Sequence, residues 1–135
     1  MAKTHPHIDS PTALQLRSLL EGRPGLLVQV YLALHELVVT ALPDVRFSVD
    51  TVDAAVGYGA RLYGYNGWGM AALTPFGKWV SLTLLQGSKL EDPERLLKGT
   101  AVMRHIRLSK PVSVQENRAE ISRLVVAASR LYDKK

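Results

Sequence analysis

The chain has 135 residues, 47% of them hydrophobic and 21% charged, which excludes a disordered tail or a fibre and fits one globular domain. It has no cysteine, so disulfide staples, thiolate metal sites and a cysteine nucleophile are all excluded. Seventeen basic residues face twelve acidic ones, and the whole excess of five falls after residue 100, where eight basic groups stand against Glu116, Glu120 and Asp133.

In chain order, residues 1–9 are polar and read as a flexible tail, followed by a single domain over residues 10–135. The tail has no apolar run after a basic start, so no secretory signal is expected. Ser10-Pro11 reads as the start of a helix, with a hydroxyl to cap and a proline at the first turn, and Leu14, Leu16, Leu19 and Leu20 form its apolar stripe. Pro24 opens a longer helix that Pro43 stops. In it Leu27, Val30, Tyr31, Leu34, Val38 and Ala41 recur at helical spacing, and Leu26, Leu32, Leu37 and Val39 widen the face until the helix reads as buried nearly all round. Gln29, His35 and Glu36 interrupt this apolar stretch, so it is expected to be a core helix rather than a membrane span.

After Asp44 the texture changes to turns and short strands. Five of the ten glycines lie between Gly57 and Gly69, interleaved with aromatics, and Asn66-Gly67 fits a tight hairpin turn. Trp68 to Leu73 and Lys78 to Leu85 read as strands joined by Thr74-Pro75-Phe76-Gly77. In the second of them Val80, Leu82 and Leu84 alternate with Trp79, Ser81 and Thr83, which assigns one set to the core and the other to the opposite face. Asp92-Pro93 predicts a short helix through Leu97. Met103 to Leu108 alternates again, with His105 and Arg107 on one side, and Ser113 with Glu116 suggests a capping box for a last helix through Leu131. Helix, helix, antiparallel strands and helix make an α+β fold, with helices packed on one face of a mainly antiparallel sheet.

Familiar catalytic patterns fail on their spacing. His35-Glu36 begins a zinc-protease motif, but position 39 is Val where the second imidazole belongs. Gly57-Tyr-Gly59 starts a dinucleotide fingerprint whose third glycine is replaced by Leu62. Ser81 lies inside a strand, not on a nucleophile elbow, and His105 has no sequence-evident acid. His5 and His7 flank Pro6, and Glu91, Asp92 and Glu94 cluster beside Pro93; neither group supplies enough ligands for a metal. What remains is the sheet face away from the helices, carrying Trp68, Met70, Trp79, Ser81, Thr83, His105 and Arg107. Aromatics beside a guanidinium and an imidazole suit an anionic or planar ligand. Trp68, Trp79, Ser81, His105 and Arg107 are the candidate ligand-binding residues, with a loop from the Gly-rich segment, a second subunit or the ligand covering Trp79.

The stretch Val52 to Leu108 resembles the YdhG-like domain family. The matching features are Asp53-Ala-Ala-Val-Gly-Tyr58-Gly59, the strand Lys78-Trp79-Val80-Ser81-Leu82, the segment from Gly87 to Gly99 with Leu90, Asp92-Pro93 and Leu96-Leu97, and Arg104-His105-Ile106-Arg107-Leu108. The resemblance implies a frataxin-like α/β sandwich and, for some members, an intracellular iron-chaperone role. Iron handling of that kind uses an acidic first helix, and the two leading helices here offer only Glu21 and Glu36, so no resident metal or cofactor is expected. The expected protein is a cytoplasmic, non-enzymatic binding or carrier module for a small ligand or a protein partner, with a homodimer among its states. A basic C-terminal quarter that binds anions or nucleic acid is the alternative, and iron the one cofactor the resemblance implies.

Overall fold

The computed structural model describes residues 6–59 and 70–131. The first element is not helix. His7–Asp9, expected to end a flexible tail, form strand β1, which pairs antiparallel with β2 (Phe47–Asp50). Three residues are too few to show a period-two pattern, and it is the backbone of β2 that organises them. Ser10 does not cap a helix. Its N–H closes onto Phe47 O at 2.9 Å and its φ is 48°, so it turns the chain out of the sheet.

The first helix, α1 (Ala13–Leu19), instead starts at Thr12. Thr12 Oγ1 accepts the Gln15 N–H at 3.1 Å, while Gln15 Oε1 accepts the Thr12 N–H at 2.9 Å, a reciprocal cap with Gln in place of Glu. Leu16 and Leu20 are buried, and Leu14 is 75% exposed. Helix α2 (Gly25–Ala41) follows Pro24 as expected and buries Leu27, Val30, Tyr31, Leu34, Leu37 and Val38. It is not buried all round, because Leu26 is 58% exposed. Tyr31 Oη donates to Ala54 O at 2.6 Å, which ties the middle of α2 to the turn between β2 and β3 (Val56–Tyr58). That turn is organised by Asp50, whose Oδ1 accepts the Val52 and Asp53 N–H groups at 2.7 and 3.1 Å, and Ala54 sits at φ 58°.

Strands β4 (Ala71–Pro75) and β5 (Val80–Leu84) form the expected hairpin with the turn displaced by two residues. Pro75 pairs with Val80, and Phe76 N–H bonds to Trp79 O at 2.9 Å. Gly87–Lys89 make a 3-10 turn. The helix expected over Asp92 to Leu97 is absent. The Asp92 carboxylate accepts the Leu96 and Leu97 N–H groups, both at 2.9 Å, and Arg95 adopts φ 58°, so a side-chain-held turn replaces it. Strand β6 (Arg104–Leu108) completes the sheet, and Lys98 bridges to the outer side of His105. Two helices close the described chain, α3 (Pro111–Glu116) and α4 (Arg118–Arg130). Ser113 lies inside α3 and does not cap it. The break comes at Asn117, whose Nδ2 donates back to Ser113 O at 2.9 Å.

Among the described residues the six strands lie in the order β1-β2-β3-β4-β5-β6, every neighbour antiparallel. One continuous core joins Val49, Val56, Tyr58, Leu73, Val80, Leu82, Leu84 and Ile106 of the sheet to Leu16, Leu34, Leu37, Val114, Ile121 and Leu124 of the helices. The protein is an α+β domain with helices on one face of an antiparallel sheet. No helix among the described residues is long and apolar enough to cross a membrane.

Candidate functional site

Strand alternation decides what faces away from the helices. Val80, Leu82 and Leu84 are fully buried in the core, so Ser81, Thr83 and the preceding Trp79 turn to the second face. Ile106 is buried in the same core, which puts His105 and Arg107 with them. Register then sets neighbours: Thr74, Ser81 and Arg107 form one cross-strand row, and Ala72, Thr83 and His105 the next. Of the five candidate binding residues, four come together here. Trp68 lies outside the described residues, as do the Asn66-Gly67 turn and most of the Gly-rich segment offered as a cover for Trp79. Met70, expected on this face, is instead buried as a member of the hydrophobic core.

Within the cluster, Thr83 Oγ1 lies 2.8 Å from His105 Nδ1. Ser81 Oγ is 3.5 Å from the same nitrogen and 3.4 Å from Thr83 Oγ1, both long for hydrogen bonds, and the residue is 2% exposed. Burial, and then the neighbouring Arg107 charge, hold the His105 pKa below the ordinary imidazole value, so the ring is neutral at neutral pH. The Arg107 guanidinium lies 5.4 Å from the Trp79 ring centroid, a cation–π contact, and Phe76 packs against Trp79 at 5.8 Å. Arg107 makes no ion pair among the described residues. The Trp79 indole Nε1 is closed off from water with no acceptor among the described residues.

A serine beside a histidine invites a nucleophile reading, but the geometry points elsewhere. Thr83 holds the imidazole nitrogen nearest Ser81, and no carboxylate among the described residues orients the ring from its other side. Among the described residues the arrangement is a cluster of hydroxyls and an imidazole beside a guanidinium without an ion pair, chemically suited to hold an anion.

At the other edge the same face changes character. Ser48 and Asp50 of β2 and His7 and Asp9 of β1 point there, opposite to the core residues Phe47 and Val49. Ser48 Oγ and His7 Nε2 are buried without a partner among the described residues. The alternation of Phe47-Ser48-Val49-Asp50 is the signal that places them, and four residues are too short a run to trust before the pairing is seen.

A second polar pair lies on the helix side. His35 Nδ1 is 2.7 Å from Tyr58 Oη, and Phe47 packs edge-on to the imidazole at 4.9 Å. Tyr58 is fully buried, which raises its pKa well above 10, so its hydroxyl keeps its proton beside His35 Nδ1. Burial lowers the His35 pKa to about 4. His35 is thus a boundary residue of the core, with no imidazole partner for metal binding. Among the described residues no group of three His, Cys, Asp or Glu side chains is placed to hold a metal ion.

The basic C-terminal quarter is partly neutralised within the fold. Arg118 pairs with Glu36 at 3.2 Å, and Arg123 pairs with Glu120 at 2.7 Å and donates to Glu91 O. With Arg130 they line a shallow groove between α2 and α4, over Thr40, Ala119, Ser122 and Ala127. No family model matches the chain, and neither a curated protein nor a solved structure matches it.

Proposed function

We propose that the protein is a non-enzymatic binding or carrier module of the cytoplasm that takes a small anionic ligand on the face of β4, β5 and β6, using Trp79, Ser81, His105 and Arg107. The carrying observation is Arg107: an exposed guanidinium held over Trp79 at 5.4 Å, with no ion pair among the described residues. An arginine placed on a rigid strand by an aromatic ring is preorganised to receive an oxyanion. Ser81 stands directly opposite it across the β5–β6 pair and adds a hydroxyl at the same place.

Isothermal titration with benzoate and phenyl phosphate, both small oxyanions on a planar body, tests the reading. Arg107→Ala should weaken binding by about tenfold or more, since a charge-assisted bidentate pair is lost. It should leave the melting temperature nearly unchanged, because the side chain is exposed. Arg130→Ala, on the far side of the molecule, should bind as the parent does. Equal affinity of the Arg107 variant, or no binding of either probe, refutes the proposal.

Anion or nucleic-acid binding through the basic C-terminal quarter has weaker support, because two of its three described helical arginines already hold Glu36 and Glu120. Duplex binding at physiological salt that is lost in Arg118→Ala and Arg130→Ala but kept in Arg107→Ala would put that reading first. The iron-handling role implied by the resemblance to YdhG-like domains has the least support: within the described residues α1 carries no acid and α2 only Glu36.

A further inference from the structure

Donors on the β4–β6 face outnumber what a carboxylate could use. Among the described residues this part of the face carries Thr74, Trp79, Ser81, Thr83, His105 and Arg107, and no acid. Lys78, exposed in the adjoining hairpin, adds positive charge at the same end. The acids of this face, Asp9 and Asp50, stand on β1 and β2. Three strand spacings separate β2 from β5, roughly 14 Å.

A carboxylate has two oxygens, and the Arg107 fork alone can satisfy both. Ser81 Oγ would then keep no more than its two long contacts, to Thr83 Oγ1 and His105 Nδ1. A phosphate monoester brings three terminal oxygens and close to two negative charges at neutral pH. Two oxygens fit the guanidinium, and the third is left for the hydroxyl directly across the strand pair. The second charge needs a second cation, and one residue on this face can become one. His105 lies two residues from Arg107 on the same side of β6. Facing it among the described residues are the uncharged Ser81 and Thr83 from β5, Arg107 from its own strand, and the loop of Lys98 and Gly99, which meets it through the Lys98 backbone. Among the described residues no carboxylate faces it, so an incoming anion is what would favour its protonated form.

We propose that the ligand is the phosphate monoester of a small molecule, and that His105 takes up one proton from solvent as the phosphate binds beside Arg107. The inference rests on the anion-binding reading above. It involves no covalent step: neutral imidazole becomes imidazolium, and both ligand charges are then matched. Affinity for the ester should accordingly rise as pH falls from 8 towards 6.5, until the phosphate dianion itself begins to gain a proton.

The experiment is calorimetric titration of phenyl phosphate and of benzoate at neutral pH in two buffers of different ionisation enthalpy, which counts protons taken up on binding. Phenyl phosphate should bind about tenfold or more tighter than benzoate and take up roughly half a proton or more. His105→Asn, which keeps a hydrogen-bonding partner for Thr83, should bind the ester more weakly and without proton uptake. The His105 ring resonances of the unaltered protein give a readout that needs no variant, since their titration midpoint should move up when phenyl phosphate is added. Benzoate binding as well as phenyl phosphate overturns the phosphate assignment while leaving an anion site at Arg107. Proton uptake that persists in His105→Asn, or an unmoved His105 midpoint in the complex, overturns the role of His105. Failure of both probes to bind removes the anion site itself.

Discussion

Acidification from about pH 7.5 to about pH 4.5 should destabilise the fold through one imidazole on the helix side of the sheet. His35 titrates near 6.5 in an unfolded chain and at about 4 in the folded one. Between those values the unfolded state binds more protons than the folded state, so stability rises with pH there. The contribution is complete above pH 6.5, declines as pH falls, and is gone below about 4. At one pKa unit per 1.36 kcal/mol, the gap corresponds to about 2–3 kcal/mol at pH 4.5, or a melting temperature lower by roughly 10 °C for a chain of this size. The physical reason is burial: the imidazole lies largely out of water against Phe47 and Tyr58, where its charged form is poorly solvated. Glu36 and Glu120, held below the usual carboxylate range by their hydrogen bonds, and His105 also lose stability on acidification, so the measurement is a difference. Urea unfolding at both pH values should show the full loss in the parent and about 2–3 kcal/mol less of it in His35→Asn, whose amide oxygen can still accept from Tyr58. Equal acid losses in the two proteins, or a His35 ring titrating near 6.5 by NMR, would refute the reasoning.

Two further substitutions test the fold where the sequence alone gave no warning. A Cβ on Gly87 would stand 2.6 Å from Arg104 Cβ and 3.2 Å from its backbone nitrogen, so Gly87→Ala should cost about 1–3 kcal/mol by thermal unfolding, against about 0.5 or less for Gly77→Ala, whose Cβ meets open space; similar melting of the two would mean that β6 does not approach the turn this closely. Asp92→Ala removes the acceptor of two amides at once and should cost about 1–3 kcal/mol, with faster hydrogen exchange at Leu96 and Leu97 than in the parent; unchanged exchange there would show that the carboxylate does not hold the turn.

What could be read from the sequence is what a period or a proline marks. Helix α2 lies between Pro24 and Pro43 as its spacing requires, and the faces of β5 and β6 follow from strict alternation. That alone was enough to bring Trp79, Ser81, His105 and Arg107 to one surface. The errors arise where a local side chain competes with the backbone. Ser10 bonds into the sheet and Thr12 takes the cap, Asp92 captures amides that a helix would have used, and Asn117 splits one expected helix into two. Each involves a residue equally at home in a turn and at a helix end, so composition could not decide. Pairing across the chain was wholly hidden: Tyr31 and His35 reach the backbone of Ala54 and the hydroxyl of Tyr58 over 23 positions, and no pattern in either segment announces it.

The connectivity of the sheet sets the order in which it comes together and comes apart. Every strand pairs with the next in sequence, and from β2 to β6 each closes across a shorter link than the one that follows β1. β1 is the exception, since residues 10–46, including α1 and α2, separate it from β2, while residues 76–79 alone join β4 to β5. Treated as flexible links, the longer costs about 2 kcal/mol more to close. The first strand should therefore dock last and fray first. Its departure bares the edge of β2, where Phe47 and Val49 alternate with Ser48, and under heat or agitation that edge is the place where one molecule of this protein would begin to pair with another.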